Sequence, residues 1–175
     1  VKRLLTALGL LLLGGCAPHL GSQSTSSLVG DWVCPMTHKK QNMAQTDYIR
    51  FLPDGRFEGK GSFVYPINKP QFRFAQTFTG RWQQQGNQVD FQVTNAELTR
   101  QHSDGTMRKL KKSKKWRAQE QALFARANAA HRPGDVASRV ELIDVSAREF
   151  SYVQHRGDES YFGGCVRAHK QSGGQ

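Results

Sequence analysis

Phe72-Arg73-Phe74-Ala75-Gln76-Thr77-Phe78-Thr79-Gly80-Arg81-Trp82 is the stretch whose reading decides the fold. Phe72, Phe74, Phe78 and Trp82 share one parity and alternate with Arg73, Ala75, Thr77 and Arg81. Successive side chains of an extended chain point to opposite faces, so this period of two predicts a strand with one buried face. On its C-terminal side Gln85-Gly86-Asn87 supplies a turn, and Val89, Phe91 and Val93 return on a single parity. On its N-terminal side Tyr48-Ile49-Arg50-Phe51-Leu52 runs into Pro53-Asp54-Gly55, a strong turn signal, and then into residues 56–65. Phe57, Phe63 and Tyr65 share a face of that segment, with Gly59 and Gly61 between them. Glycine on an inward face suits a tightly bent strand or one approached closely by another. The two hairpins make an antiparallel meander of about four strands.

Working outward again, residues 28–34 read as an opening strand that Pro35 stops. Beyond residue 93 the pattern changes. Residues 113–131 have high helix propensity, with Trp116, Leu123, Phe124 and Ala127 on one face, and Pro133-Gly134 ends the segment. Strand text resumes at 140–145, 149–153 and 161–166, with turns at 146–148 and 156–159. The fold class expected is mainly β: an antiparallel up-and-down barrel, or strongly curled meander, of about eight strands with one inserted amphipathic helix. A chain of 175 residues has room for one such domain, here residues 28–169, followed by a polar tail over 170–175.

Residues 1–27 carry a different kind of information. Lys2 and Arg3 precede an apolar run over residues 4–13, which ends in Leu13-Gly14-Gly15-Cys16. A basic start, a short apolar stretch and small residues before a cleavage point describe an export signal, too short for a stable transmembrane helix. The Leu-Gly-Gly-Cys ending resembles the lipobox of bacterial lipoproteins. That resemblance implies a signal peptide over 1–15, acylation of Cys16 and a tether over 16–27; the alternative is an ordinary secretory signal with an incidental cysteine. Ala17, next after the cysteine, resembles the sorting signal for the outer membrane. The partner implied is a lipid bilayer, held through the acyl chains on Cys16 at about 0.8 kcal/mol per buried methylene.

Cys34 and Cys165 then remain, near the two ends of the folded part. In an exported chain an even remainder reads as one disulfide, with two buried free thiols as the alternative. The bond would tie the first strand to the last, contributing about 4–5 kcal/mol in a chain-entropy treatment. No cysteine or histidine spacing suggests a zinc site, so no metal or other cofactor is expected.

Charge is the third signal. Twenty-five Lys and Arg stand against 14 Asp and Glu, and Arg100, Arg108, Lys109, Lys111, Lys112, Lys114, Lys115 and Arg117 concentrate the excess. Behind an export signal the anions at hand are phospholipid headgroups, lipopolysaccharide phosphates, acidic glycans and acidic proteins, rather than nucleic acid. Arg108, Lys109, Lys111, Lys112, Lys114, Lys115 and Arg117 are therefore the candidate contacts for an anionic partner, on a protein expected to be monomeric. A solvated charged face is the plainer reading of the same run. Cations at the start of a helix oppose its dipole, so helix stability does not explain them.

Gly30-Asp31-Trp32 on the first strand resembles the opening motif of the lipocalin/calycin family. The phrase Phe51-x-Pro-Asp-Gly-x-Phe57, then Gly80-x-Trp82 and Gly86-x-x-Val89-x-Phe91, is similar to small lipocalin-like domains of bacterial exported lipoproteins. The resemblance covers residues 28–93. It implies a barrel whose cavity would be lined by Trp32, Phe72, Phe74, Phe78 and Trp82, although such tryptophans serve core packing more often than ligand contact. The lysine-rich segment departs from the short turns of that family, so a carrier role does not transfer with the fold.

Enzyme signatures are absent from the sequence: no Gly-x-Ser-x-Gly, no His-Glu-x-x-His and no phosphate-cradling glycine loop. The six histidines are scattered, and His155 beside Arg156 and Asp158 is one imidazole near one carboxylate, not a site. The function expected is a non-enzymatic envelope module that binds or assembles through its basic helical segment. A carrier or sensor of a small hydrophobic ligand, or an exported enzyme inhibitor, are the alternatives.

Overall fold

The computed structural model describes residues 28–130, 137–156 and 159–169. The signal, Cys16, the tether, the Pro133-Gly134 stop and the polar tail lie outside these residues. Eight strands follow one another around a closed antiparallel barrel: β1 (Gly30–His38), β2 (Met43–Phe51), β3 (Arg56–Tyr65), β4 (Phe72–Gln85), β5 (Gln88–Arg100), β6 (Ala137–Val145), β7 (Glu149–Arg156) and β8 (Glu159–Arg167). β8 pairs back onto β1. This is the up-and-down barrel expected, and its architecture is compatible with a calycin-like fold without assigning the family.

The alternation read from the sequence sets the register. Phe63 stands opposite Phe74, Gly59 opposite Phe78, and Trp82 opposite Phe91, so the inward parity continues from strand to strand. A register shift at Thr79/Gly80 lets β5 keep Val93 and Leu98 on the inner face although they differ in parity. The inner glycines make room for large neighbours. A Cβ on Gly59 would land on the Phe78 ring, and one on Gly80 on the Gln92 carbonyl oxygen and the Phe57 ring.

Two apolar clusters fill the interior. Near the end where the chain enters, Trp32, Phe51, Phe57, Trp82, Val89, Val140, Leu142 and Phe150 pack with Cys34 and Cys165. Near the opposite end, Phe63, Phe72, Phe74 and Leu98 pack with helical residues. Asp47 and Gln76 lie buried on the inner face between them, where Gln45 and Gln76 each donate an amide N–H to the Asp47 carboxylate at 2.7 Å. Gly61 accommodates that carboxylate, since a Cβ there would meet Asp47 Oδ1. Tyr152 is partly buried nearby, and desolvation, assisted by the Asp47 charge, pushes its hydroxyl up to about 12.

Cys34 and Cys165 form the disulfide expected, with Cα atoms 4.1 Å apart, at the β1–β8 seam. The same seam carries a second fastening. The Arg167 guanidinium lies 3.7 Å from the centre of the Trp32 ring and donates to the Val29 carbonyl at 2.8 Å. Gly30, with φ +125°, permits this approach, because a Cβ would meet Arg167 Nη1.

Two sequence expectations need correction. Pro35 does not stop the first strand: β1 continues to His38, with Pro35 opposite Thr46 of β2. Pairing with β8 covers only Trp32 and Val33, so a proline just beyond costs no ladder hydrogen bond on that flank. The insertion is two helices rather than one: α1 (Asp104–Lys112) and α2 (Lys114–Ala130). Ser103 caps α1 by accepting the Thr106 N–H, and Ser113 accepts the Trp116 N–H at the start of α2.

Candidate functional site

Strand direction places the helical hairpin. β1 begins at Gly30 opposite Phe51 and ends at His38 opposite Met43, while β3 ends and β4 begins at the Tyr65–Phe72 pair. β5 ends at Arg100, opposite Phe74. The hairpin that follows therefore sits at the end of the barrel far from where Leu28–Gly30 enters. It caps that end. Leu110 of α1 and Trp116, Leu123, Phe124 and Ala127 of α2 pack onto Phe63, Phe72, Phe74 and Leu98. The Trp116 ring stands edge-on to Phe72 at 5.5 Å, and Phe124 lies 5.9 Å from Phe74.

A buried polar clamp holds the cap in register. Glu120 of α2 is 5% exposed, and its Oε1 accepts from Arg100 Nε at 2.8 Å and from His102 Nε2 at 3.1 Å. His102 Nδ1 accepts the Arg73 backbone N–H at 3.1 Å, which fixes the Nε2–H tautomer as the donor to Glu120. The Arg100 guanidinium also covers the Phe124 ring at 3.5 Å. On the α1 side, Thr106 Oγ1 donates to the Gln71 carbonyl at 2.7 Å.

The cationic residues named from the sequence fall on this hairpin, but with separate roles. Lys109, Lys111 and Lys112 occupy the last turn of α1, where the helix dipole favours cations; Lys114 and Lys115 open α2. The expectation that the whole cluster sits against a helix N-terminus is thereby corrected for the α1 residues. Arg117 turns back and donates through Nη1 to the Leu110 and Lys111 carbonyls at 2.7 and 2.9 Å, closing the end of α1. Its guanidinium serves the joint between the helices. Arg100 belongs to the Glu120 clamp. Arg108, Lys111, Lys112, Lys114 and Lys115 are exposed and have no carboxylate partner among the described residues.

Three arginines of the barrel wall are paired. Arg50 pairs with Asp31 at 2.6 Å and Glu58 at 3.3 Å, Arg56 with Asp54 at 2.7 Å, and Arg139 with Asp90 at 2.6 Å. The Arg139 hydrogen bond holds the Asp90 carboxyl below its usual range, and the Arg56 backbone N–H does the same for Asp54. Lys60, Arg73 and Arg81 are exposed on β3 and β4 without a carboxylate partner among the described residues, but they are spread along the strands, whereas the hairpin gathers its unpaired cations within residues 108–115.

A cleft of about 480 Å³ opens in the hairpin, lined by Gly105, Arg108, Lys109, Lys112, Ser113 and Trp116. The Lys109 ammonium stands 4.8 Å from the centre of the Trp116 ring, a cation–π contact that pins it at the cleft. Sequence reasoning counted Trp116 as a core residue and gave Gly105 and Ser113 no role. The cleft exists because two helices meet at Ser113, a juncture whose only sequence signals are the two capping serines.

The five residues expected to line a barrel cavity all face inward, but they are in ring contact. Trp32 is 4.7 Å from Phe150, Trp82 5.3 Å from Phe51, Phe78 6.2 Å from Phe57, Phe74 4.9 Å from Phe63, and Phe72 6.5 Å from Tyr65. They act as core. The two indole N–H groups are spent on backbone: Trp32 donates to the Leu28 carbonyl, Trp82 to those of Leu52 and Arg56. Among the described residues no three His, Cys, Asp or Glu side chains are grouped to hold a metal. His155 lies 3.0 Å from Ser160 Oγ on the exposed barrel wall. No protein-family model matches this chain, and no curated protein matches it either.

Proposed function

We propose that this chain is a lipid-anchored, non-enzymatic envelope module that docks an anionic polymer through the cationic hairpin capping its barrel. One observation carries the reading: within residues 108–115 the hairpin concentrates five exposed cations that have no carboxylate partner among the described residues, whereas the unpaired cations of the barrel wall, Lys60, Arg73 and Arg81, are dispersed. The dipole at the end of α1 favours Lys111 and Lys112 but not Arg108, Lys114 or Lys115, and like charges on adjacent turns repel, so a merely solvated face does not account for the whole concentration. The placement adds support. With Cys16 acylated, the membrane end of the barrel is the one where Gly30 enters, and the hairpin faces away from it. The ring-filled interior weighs against the carrier alternative.

Retention on an immobilised phosphorylated polysaccharide tests the docking face. Wild-type protein should be retained and released by salt, whereas Lys111→Gln/Lys112→Gln/Lys114→Gln/Lys115→Gln should pass through. Equal retention of the two would refute the reading. The anchor is tested separately: Cys16→Ser should move the expressed protein from the membrane fraction to the soluble one, and an unchanged distribution would contradict acylation.

A further inference from the structure

The cleft has features that a merely charged face does not need. Its lining is largely apolar although three of the six lining residues, Arg108, Lys109 and Lys112, are cationic, with the Lys109 ammonium set 4.8 Å from the Trp116 ring centre. The carbonyls of Lys109, Leu110 and Lys111 at the end of α1 are already occupied by Arg117 and the Ser113 N–H, so Lys109 and Lys112 serve that end through the helix dipole alone and their ammonium groups do not cap those carbonyls. Gly105 is the third feature. It is the second residue of α1, where no positive φ or close approach requires a glycine. A Cβ at Gly105 would have only ordinary contacts, 3.9 Å to Ser103 Oγ and 4.0 Å to Arg108 Nη2. The space left by the missing side chain opens on the cleft.

We infer that this cleft is a binding site for a phosphorylated sugar, its phosphate held by Arg108, Lys109 and Lys112 and its ring laid against Trp116. A compact dianion matches three cationic residues lining one cleft better than a single carboxylate does, and Arg108 adds a planar fork of donors suited to phosphate oxygens. The less polar face of a pyranose ring suits the apolar wall, and the bare backbone at Gly105 gives it depth. The inference rests on the reading of the hairpin as an anion-docking face and names the chemistry of the group it grips.

Titration calorimetry on the full-length protein tests it, with a hexose phosphate, a phosphorylated disaccharide headgroup freed of its acyl chains, glucose, inorganic phosphate and a nucleoside monophosphate. Either phosphorylated sugar should bind at least 10-fold more tightly than phosphate, glucose or the nucleotide, and the tighter of the two names the source, free metabolite or envelope glycolipid. Gly105→Leu changes no charge but fills the cleft and should cost at least 10-fold in that affinity. Gly105→Ala, the milder block, should weaken binding without lowering the melting temperature. Undiminished binding by both variants, or no preference for sugar phosphate, would overturn the site. Salt-sensitive retention on the polysaccharide without sugar-phosphate binding would remove the cleft and leave the docking face standing; loss of both would remove the whole reading.

Discussion

Removing the Cys34–Cys165 bond is the sharpest test of how the barrel is closed. The half-cystines are 4% and 3% exposed, so Cys34→Ala/Cys165→Ala leaves small apolar residues in an apolar cluster and removes mainly the crosslink. The bond spans 131 residues. In a chain-entropy treatment a loop of that length confines the unfolded chain by about 5 kcal/mol. Unfolding entropy near 2.1 cal/mol/K per residue, over roughly 140 ordered residues, converts this into a fall in melting temperature of roughly 15 °C. The folded seam offers little compensation once the bond is gone, because among the described residues the β1–β8 ladder has two register pairs, Trp32 with Arg167 and Val33 with Val166. Scanning calorimetry of oxidised wild type, reduced wild type and the double alanine variant measures it. A fall under about 3 °C would refute the reasoning, since the Arg167–Trp32 contact and the ladder would then hold the seam without sulfur.

Three further outcomes follow from particular side chains. Tyr152 is held neutral by burial and by the Asp47 charge, so the folded state keeps its proton after the unfolded chain has lost it; stability is complete below about pH 10 and falls as pH rises toward 12. The difference in absorbance at 295 nm between wild type and Tyr152→Phe should therefore show a step near pH 12, and a step near pH 10 would contradict the packing. Gly80→Ala should destabilise by about 1–3 kcal/mol, measured by urea unfolding, because its Cβ collides with the Gln92 carbonyl and the Phe57 ring. Arg117→Met should cost about 1–2 kcal/mol by leaving the Leu110 and Lys111 carbonyls uncapped, yet change polysaccharide affinity less than Lys112→Gln does; the reverse order would make Arg117 a ligand contact.

The barrel was legible because its strands alternate. Phe72, Phe74, Phe78 and Trp82 on one parity, answered by Val89, Phe91 and Val93, leave one way to bury both faces, and the structure follows it. Pro35 misled because its effect depends on whether a neighbour pairs with that flank, which no local pattern records. α1 was missed because Gly105 and a run of lysines mask a short helix whose only buried residues are Thr106 and Leu110. The Ser103 cap and the Thr106–Leu110 spacing were the signals available. Asp47, sharing its parity with Ile49 and Phe51, was readable as an inward carboxylate, but its partner Gln76 lies 29 residues away. As for the site, composition revealed the cations but not their division of labour: Arg117 and Lys111 look alike in sequence, and only the bend at Ser113 turns one into a cap.

The account's central claim is that unanswered cations on the hairpin form a docking face, and the salt dependence of polysaccharide binding tests it most directly. Plotted as log affinity against log salt, wild type should fall steeply, because each ion contact formed is weakened by screening. Lys111→Gln/Lys112→Gln/Lys114→Gln/Lys115→Gln should bind weakly with a nearly flat line. Parallel lines of equal slope for the two proteins would mean that the hairpin charges touch only solvent, and would contradict the claim.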